Sequence, residues 1–124
     1  MKIIVTDDIF TNRLLLSEVI SDLGHEYLDA ENGKVAIVLL QKHDDIDLIL
    51  MDIEMPVMNG LEAAKFIREK MPPPKNRIPI IALTAHNPKI FFDDYHDVGF
   101  DQLLTKPYSI QKITFLLESF IKAD

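Results

Sequence analysis

The fold of this chain is decided by the stretch Leu48-Ile49-Leu50-Met51-Asp52-Ile53-Glu54-Met55-Pro56. Four apolar residues run directly into Asp52, and a turn-forming Pro56 follows four positions later. A short apolar run without alternation is typical of a strand that is buried on both faces of a parallel sheet. Such a strand carries its last residue to the carboxyl edge of the sheet, where open α/β folds place their sites. We therefore expect Asp52 at that edge.

Composition limits the class of protein. The chain has 124 residues, of which 48% are hydrophobic and 27% charged, and this suits a single domain with a substantial core. Its net charge of -7 argues against nucleic acid or an anionic membrane as the main partner. The absence of cysteine excludes disulfides, thiolate catalysis and Cys-ligated zinc. Without a long apolar run or a signal peptide, we expect a cytoplasmic domain over residues 1–124.

Strand and helix patterns alternate along the chain. The predicted strands cover residues 2–6, 25–30, 48–52, 79–84 and 102–105. The predicted helices cover residues 11–23, 34–41, 60–70, 88–98 and 110–121. Asn32-Gly33 predicts a turn, and Pro72-Pro73-Pro74 predicts an exposed, stiff connector. Five β-α units in succession predict an α/β fold with a parallel sheet and helices on both faces.

Polar residues end four of the five predicted strands. The first strand ends at Asp7-Asp8, the third at Asp52, the fourth at Thr84 and the fifth at Lys106. Since parallel strands share one carboxyl edge, we expect these side chains to meet there. Three carboxylates repel one another by about 4 kcal/mol per pair at ~4 Å and an effective dielectric constant near 20. Lys106 alone cannot offset this repulsion, so the pattern predicts a divalent cation, Mg²⁺ or Mn²⁺.

The same residues predict phosphoryl transfer. Mg²⁺ held by few protein ligands commonly shares its coordination with a phosphoryl oxygen. The Thr84 hydroxyl and the Lys106 ammonium are suitable donors to the remaining phosphoryl oxygens. Asp52 would then be the nucleophile that forms an acyl phosphate. Each residue alone has an ordinary structural explanation, but their coincidence at four strand ends favours a site.

Four motifs resemble those of the receiver domains of two-component response regulators. They are Ile3-Ile4-Val5-Thr6-Asp7-Asp8, the segment from Leu50 to Gly60, Ile81-Ala82-Leu83-Thr84-Ala85 and Leu104-Thr105-Lys106-Pro107. The resemblance covers essentially all of the chain. It implies a flavodoxin-like (βα)5 three-layer sandwich with sheet order 2-1-3-4-5. It also implies that Asp52 accepts a phosphoryl group from a histidine kinase or a histidine phosphotransfer protein.

The resemblance further implies roles for the residues around Asp52. Thr84 and Lys106 would hold the phosphoryl group. The implied Mg²⁺ ligands are Asp7, Asp8, Asp52 and the backbone carbonyl of Glu54. On this basis the chain phosphorylates itself and slowly dephosphorylates itself without being an enzyme for another substrate. Its output would pass to a downstream protein partner, and a dimer that forms on phosphorylation is compatible with this.

Three positions stand apart from the family pattern or add to it. The residue three before Lys106 is usually Tyr or Phe and rotates inward in such domains, but here it is Leu103. We therefore do not expect the usual aromatic readout at this switch position. Glu54 and His86 lie two residues after Asp52 and Thr84, at the mouth of the expected pocket. They would tune the lifetime of the acyl phosphate, or be two ordinary exposed polar side chains.

Two other functions compete with signalling. A Mg²⁺-dependent phosphohydrolase with an Asp nucleophile would act on a small substrate. Such enzymes use a second acid in an Asp-x-Asp arrangement, which Glu54 only approximates, and the chain has no insertion to cap a substrate pocket. A flavin- or nucleotide-binding module of the same fold is disfavoured, because the chain has four glycines and no Gly-rich first turn.

Overall fold

The computed structural model describes residues 1–85 and 87–121, without the side chains of Pro88, Phe92 and Ile121. The strands are β1 (Lys2–Thr6), β2 (Glu26–Ala30), β3 (Leu48–Asp52), β4 (Ile80–Thr84) and β5 (Gln102–Thr105). The helices are α1 (Phe10–Asp22), α2 (Gly33–Lys42), α3 (Gly60–Lys70), α4 (Pro88–Tyr95) and α5 (Ile110–Ile121). A short 3-10 turn covers Lys75–Arg77. Among the described residues, no helix is long and apolar enough to cross a membrane.

The five strands form one parallel sheet in the order β2-β1-β3-β4-β5. This confirms the predicted α/β fold and the sheet order 2-1-3-4-5. Both β3 and β4 are buried along their whole length, because helices cover both faces of the sheet. In the register of the sheet, Met51 lies beside Thr6 and Ala82, and Asp52 lies beside Leu83. The last residues of the central strands therefore share one edge.

Alternate residues of the strands fill apolar clusters on opposite faces of the sheet. Ile49 and Met51 belong to the cluster that α2 and α3 cover, whereas Leu48 and Leu50 belong to the cluster that α1 and α5 cover. The period of two along β3 therefore produces the three-layer sandwich. Each fully buried aliphatic side chain stabilises the fold by roughly 1.5–3 kcal/mol relative to its exposed state. The helix residues at these faces include Ala36, Leu40, Ala63 and Ile67 on one side and Leu16, Ile20, Ile113 and Leu117 on the other.

Asparagine caps set the starts of two helices beside the sheet edge. Asn59 accepts a hydrogen bond from the backbone N–H of Glu62 at 2.8 Å, and Glu62 accepts one from the N–H of Asn59 at 3.2 Å. Asn32 caps α2 in the same position, where it accepts from the N–H of Val35 at 3.0 Å. The predicted turn between β2 and α2 is present, but it ends at Asn32, one residue earlier than expected. Gly33 is the first residue of α2, and a Cβ there would lie 2.9 Å from the carbonyl oxygen of Met58.

Two other expectations need correction. Helix α4 ends at Tyr95 and not at Val98, because the N–H of Val98 already closes a turn onto the carbonyl of Tyr95 at 3.1 Å. Gly99, with φ +106°, then turns the chain toward β5. The connector after α3 is exposed at its three prolines, as predicted, but Met71 before them is buried. A 3-10 turn follows the prolines, so the connector is more ordered than expected.

Candidate functional site

Three carboxylates meet at the carboxyl edge of the sheet. Asp7 and Asp8 follow β1, Asp52 ends β3, and one oxygen from each lies within 4.8 Å of the others. Asp7 is fully buried and Asp52 is 2% exposed, whereas Asp8 is exposed to solvent. The structure thus brings together the acids that the strand ends predicted to be neighbours. Their negative charges have to be offset by a cation for all three to be ionised.

Lys106 supplies one positive charge to this group. Its Nζ donates a hydrogen bond to Oδ1 of Asp52 at 3.0 Å, across a sequence separation of 54 residues. The other oxygen, Oδ2, is buried and has no hydrogen-bond partner among the described residues. A buried anionic oxygen without a partner is costly. The donor set therefore fits a small divalent cation, which prefers carboxylate oxygens.

The environment of Asp52 changes its proton affinity. Burial, the largest cause, and the charges of Asp7 and Asp8 raise the pKa of Asp52, while the hydrogen bond and charge of Lys106 lower it; the resulting pKa is about 6. The carboxyl group is still largely ionised at neutral pH, but its charge is poorly stabilised. A cation bound at this position would stabilise that charge.

A small pocket opens beside Asp52. Its volume is about 50 Å³, and it is lined by Asp52, Glu54, Thr84, Ala85 and Lys106 together with two apolar neighbours. The volume exceeds the ~30 Å³ that one water molecule occupies in the liquid. Thr84 is 2% exposed, while the side chain of Glu54 is exposed at the mouth. His86, which was expected beside Glu54, lies outside the described residues.

Asp7 is held by contacts that the sequence patterns did not predict. Its Oδ1 accepts a hydrogen bond from the N–H of Ile9 at 2.9 Å, and its Oδ2 accepts one from the Tyr108 hydroxyl at 3.5 Å. Arg13 donates to the carbonyl oxygen of Asp7 at 2.6 Å. The position of Tyr108, two residues after Lys106 at the same sheet edge, was the available signal.

The loop from Ile53 to Asn59 fixes the backbone next to Asp52. The N–H of Gly60 donates to the carbonyl of Ile53 at 2.9 Å, and a Cβ on Gly60 would overlap the carbonyl oxygen of Asp52. Only glycine allows this close approach of α3 to the end of β3. Within the loop, Val57 has φ +69°, and the N–H of Met58 donates to the carbonyl of Pro56 at 2.7 Å. These contacts describe a γ-turn centred on Val57.

The side chain of Leu103 lies in an apolar environment. It packs against the small cluster of Ile53, Ala82 and Phe91, directly behind the end of β3. Phe91 of α4 is 1% exposed, and its ring lies 5.2 Å from that of Tyr95 and packs against a second aromatic, Phe100, at 5.6 Å. An aromatic side chain from α4 therefore fills the space beside Leu103.

The chain is similar in sequence to known receiver domains of response regulators. The family model of the response regulator receiver domain matches residues 3–118. A chemotaxis protein CheY homolog of Campylobacter jejuni is 33% identical over 122 residues, covering 98% of this chain and 92% of that protein. The aerobic respiration control sensor protein ArcB of Escherichia coli is 30% identical over 120 residues. That match covers 97% of this chain but only 15% of ArcB.

Solved structures show the same similarity. The chemotaxis response regulator CheY4 of Vibrio cholerae superimposes with a TM-score of 0.86 at 28% identity, covering 96% of this chain and 97% of that one. A putative response regulator from Chloroflexus aurantiacus has a TM-score of 0.86 at 23% identity and supports the fold alone. The sequence relatives are thus of two kinds, proteins of about this length and long sensor kinases of which this chain matches a small part.

Proposed function

The chain belongs to the response regulator receiver domains of phosphorelay signalling, and on that premise we propose that Asp52 is its phosphoacceptor. The donor would be a phosphohistidine on a histidine kinase or a histidine phosphotransfer protein. The observation that carries this proposal is the buried carboxylate of Asp52: Lys106 donates to one of its oxygens, and the other has no hydrogen-bond partner among the described residues. Phosphorylation would change the surface that a downstream protein binds.

The transfer needs an ionised carboxylate and little else from the acceptor. An oxygen of Asp52 forms the new P–O bond while the P–N bond of the phosphohistidine breaks and its electron pair returns to the imidazole. Although burial raises its pKa to about 6, Asp52 is still mainly ionised at neutral pH. A carboxylate has no proton to lose, so the attack requires no general base.

Neighbouring donors would hold the transferred group. Lys106 Nζ is already 3.0 Å from Asp52 Oδ1, and Thr84 lines the same pocket from the adjacent strand. Both can donate to phosphoryl oxygens, which are strong acceptors because they are charged. Lys106 would thereby exchange a carboxylate partner for a phosphoryl partner. The rearrangement of Lys106 and Thr84 is the local change that phosphorylation would cause.

Asp7, Asp8 and Asp52 fit a divalent cation, and the Glu54 backbone carbonyl is proposed as a further ligand. When bound, Mg²⁺ or Mn²⁺ would neutralise part of the charge on the carboxylates and on the incoming phosphoryl group. The fit rests on three acidic oxygens within 4.8 Å and on the unpartnered Oδ2 of Asp52. Two of these acids, Asp7 and Asp52, are buried. A bound cation would explain why charged carboxylates lie together there, whereas a site that required only neutral oxygen ligands would not.

The phosphohydrolase alternative finds less support. Sites for small molecules usually occupy roughly 300–1,000 Å³, whereas the pocket at Asp52 measures about 50 Å³. Within the described part of the chain, the exposed Glu54 side chain also makes no hydrogen bond or ion pair that would place it to protonate a leaving group. A pocket of this size admits a phosphoryl group that a second protein presents.

Incubation with acetyl phosphate and Mg²⁺, followed by intact-protein mass spectrometry, tests this function. We expect a gain of one phosphate, which Asp52→Asn abolishes and the exposed-site control Asp94→Asn retains. A gain that survives Asp52→Asn would contradict the assignment of the phosphoacceptor. Catalytic release of phosphate from a phosphoester would support the hydrolase instead. Sedimentation with and without beryllofluoride tests the further proposal of a dimer that forms on phosphorylation.

The side chain of Glu54 is proposed to influence how long the acyl phosphate survives. It stands exposed at the mouth of the pocket through which the hydrolytic water enters. Glu54→Ala should change the half-life of the acyl phosphate, by less than the ~10²-fold of a positioned general base, because the side chain is exposed to solvent. The matched control is Glu69→Ala on the exposed face of α3. Equal half-lives for wild type and Glu54→Ala would contradict this role.

A further inference from the structure

The loop between β5 and α5 presents two hydrogen-bond donors to the acidic group. Lys106 Nζ donates to Oδ1 of Asp52 at 3.0 Å. Two residues later, the hydroxyl of Tyr108 donates to Oδ2 of Asp7 at 3.5 Å, across a sequence separation of 101 residues. Asp7 and Asp52 are the two buried acids of the group. The loop therefore supplies one donor to each carboxylate that has little access to water.

Asp7 has a defined orientation because several elements hold it. Its Oδ1 accepts from the N–H of Ile9 at 2.9 Å, and its own N–H donates to the carbonyl of Ala30 at 3.1 Å. Among the described residues, Tyr108 is the one side-chain donor to the Asp7 carboxylate. Without that donor, one end of the carboxylate would be free to turn away from Asp8 and Asp52.

Tyr108 is well placed to hold Asp7. Its ring packs against the apolar cluster beneath α1 and α5, which restricts the position of the hydroxyl. Burial raises the pKa of Tyr108, and the charges of Asp7 and Asp52 raise it further, so the hydroxyl keeps its proton and remains a donor. A donor is what a crowded group of carboxylates needs, whereas a second acceptor would add to the repulsion.

We propose that Tyr108 is a positioning residue whose hydroxyl holds the Asp7 carboxylate in the orientation that binds Mg²⁺. This inference rests on the proposed function of the site. Each carboxylate oxygen has two lone pairs, so an oxygen that accepts one hydrogen bond can still bind a cation. Groups that hydrogen-bond a metal-ligating residue orient it, and their loss typically weakens metal binding by about 10–100-fold.

The variant Tyr108→Phe separates this role from packing. It keeps the ring in the apolar cluster and removes only the hydroxyl. Tyr27→Phe is the matched control, because Tyr27 is 40% exposed on the edge strand β2 and lacks contact with the acids. The probe is Mn²⁺ alone, followed by the loss of its free-ion electron paramagnetic resonance signal, with Mg²⁺ as the competitor.

We expect the dissociation constants for Mn²⁺ and Mg²⁺ to rise ~10-fold in Tyr108→Phe, the lower end of the usual range because the hydrogen bond is long. In phosphorylation by acetyl phosphate, the half-saturating Mg²⁺ concentration should rise by the same factor, while the rate at saturating Mg²⁺ falls much less. Tyr27→Phe should match the wild type in both measurements. Thermal unfolding in EDTA establishes that each variant is folded.

Each other outcome has a definite meaning. Metal dissociation constants in Tyr108→Phe that equal or fall below those of the wild type overturn the inference, including when its thermal midpoint drops, since the hydroxyl would then serve stability alone. A wild-type protein that binds neither Mn²⁺ nor Mg²⁺ and accepts no phosphoryl group overturns the proposed function itself. The two failures are therefore distinguishable.

Discussion

The environment of Asp52 opposes the charged form of this carboxyl group and so reduces the stability of the fold. Burial and the charges of Asp7 and Asp8 outweigh Lys106, and the pKa of Asp52 rises to about 6 from a usual value of 3.8. The folded state therefore binds an additional proton between these two pH values. Because the unfolded state ionises first, Asp52 lowers stability progressively as pH rises from about 4 to about 6. Above about pH 6 the full loss in the free energy of unfolding is present, and it is on the order of 3 kcal/mol.

The variant Asp52→Asn should remove this loss. In EDTA at pH 7.5 we expect its free energy of unfolding to exceed that of the wild type by up to ~3 kcal/mol, and the difference to vanish near pH 4. Saturating Mg²⁺ should reduce the difference at pH 7.5, because it stabilises the ionised carboxylate of the wild type. Urea unfolding at several pH values measures this, with Asp94→Asn as the exposed control. A constant difference between pH 4 and pH 7.5 would contradict the assigned cause.

Residues at strand ends could be predicted from the sequence, and residues that support them could not. Asp7, Asp8, Asp52, Thr84 and Lys106 were found because strand order alone places strand ends at one edge. The contact of Tyr108 with Asp7 and the close approach of Gly60 to Asp52 depend on distances of tenths of an ångström between segments far apart in the chain. Periodicity carries no information about such distances.

At the scale of elements, the γ-turn in the β3–α3 loop holds strain. Val57 is β-branched, has φ +69° and is 78% exposed, so neither local preference nor burial favours it there. A non-glycine residue in this region costs roughly 1–2 kcal/mol, and Asn tolerates it better. Val57→Asn should therefore raise the free energy of unfolding by about 1 kcal/mol. The effect can be measured by urea unfolding in EDTA.

The control for this prediction is Val38→Asn, because Val38 is 37% exposed on α2 and has helical geometry. No strain is released there, so Val38→Asn should be neutral or destabilising. Equal effects of the two substitutions on the free energy of unfolding would show that the change does not come from backbone strain at Val57. If the strain also restrains the Glu54 carbonyl, Mg²⁺ affinity will change along with stability in Val57→Asn.

Helix α4 contributes aromatic side chains to the small apolar cluster behind the end of β3. Phe91 is 1% exposed and belongs to this cluster together with Ile53, the residue after Asp52, and Tyr95 and Leu103 pack against the cluster. Phe91→Leu should destabilise the protein by about 1–3 kcal/mol through lost volume and lost aromatic pairing. It should also reduce the change that beryllofluoride causes in amide hydrogen exchange across Pro88–Tyr95. Phe115→Leu, at a site 79% exposed on α5, is the control and should alter neither.

If beryllofluoride changes the exchange of α4 equally in wild type and in Phe91→Leu, the signal does not pass through Phe91. The absence of the usual aromatic at position 103 could be predicted from the sequence. The packing of Leu103 against a cluster that contains Phe91 of α4 could not, because the two residues lie on different elements whose approach only the packed fold defines. The length of α4 was likewise misjudged, since its periodic pattern continues past Tyr95.

At the scale of the whole molecule, the candidate site and a stabilising hydrogen-bond network lie at opposite ends of the strands. Arg68 of α3 donates to the carbonyls of Gly99, Asn76 and Ile78 and to Oδ2 of Asp101, at 2.7–3.0 Å. These acceptors lie around the amino ends of β4 and β5. A strand of five residues spans ~16 Å, so this network is remote from Asp52. Stability and function should therefore be separable.

Arg68→Met tests that separation. It leaves three carbonyls and Asp101 without this donor, and each lost hydrogen bond contributes about 0.5–1.5 kcal/mol without strict additivity. We expect a loss of ~2–4 kcal/mol in the free energy of unfolding, with an unchanged Mg²⁺ dissociation constant for the folded fraction. The control is Arg77→Met, an exposed guanidinium on the neighbouring 3-10 turn. A weakened Mg²⁺ affinity in Arg68→Met would contradict this separation. It would show that a rigid five-stranded sheet transmits a displacement from the amino end of β4 to its carboxyl end, and so couples the network to the site.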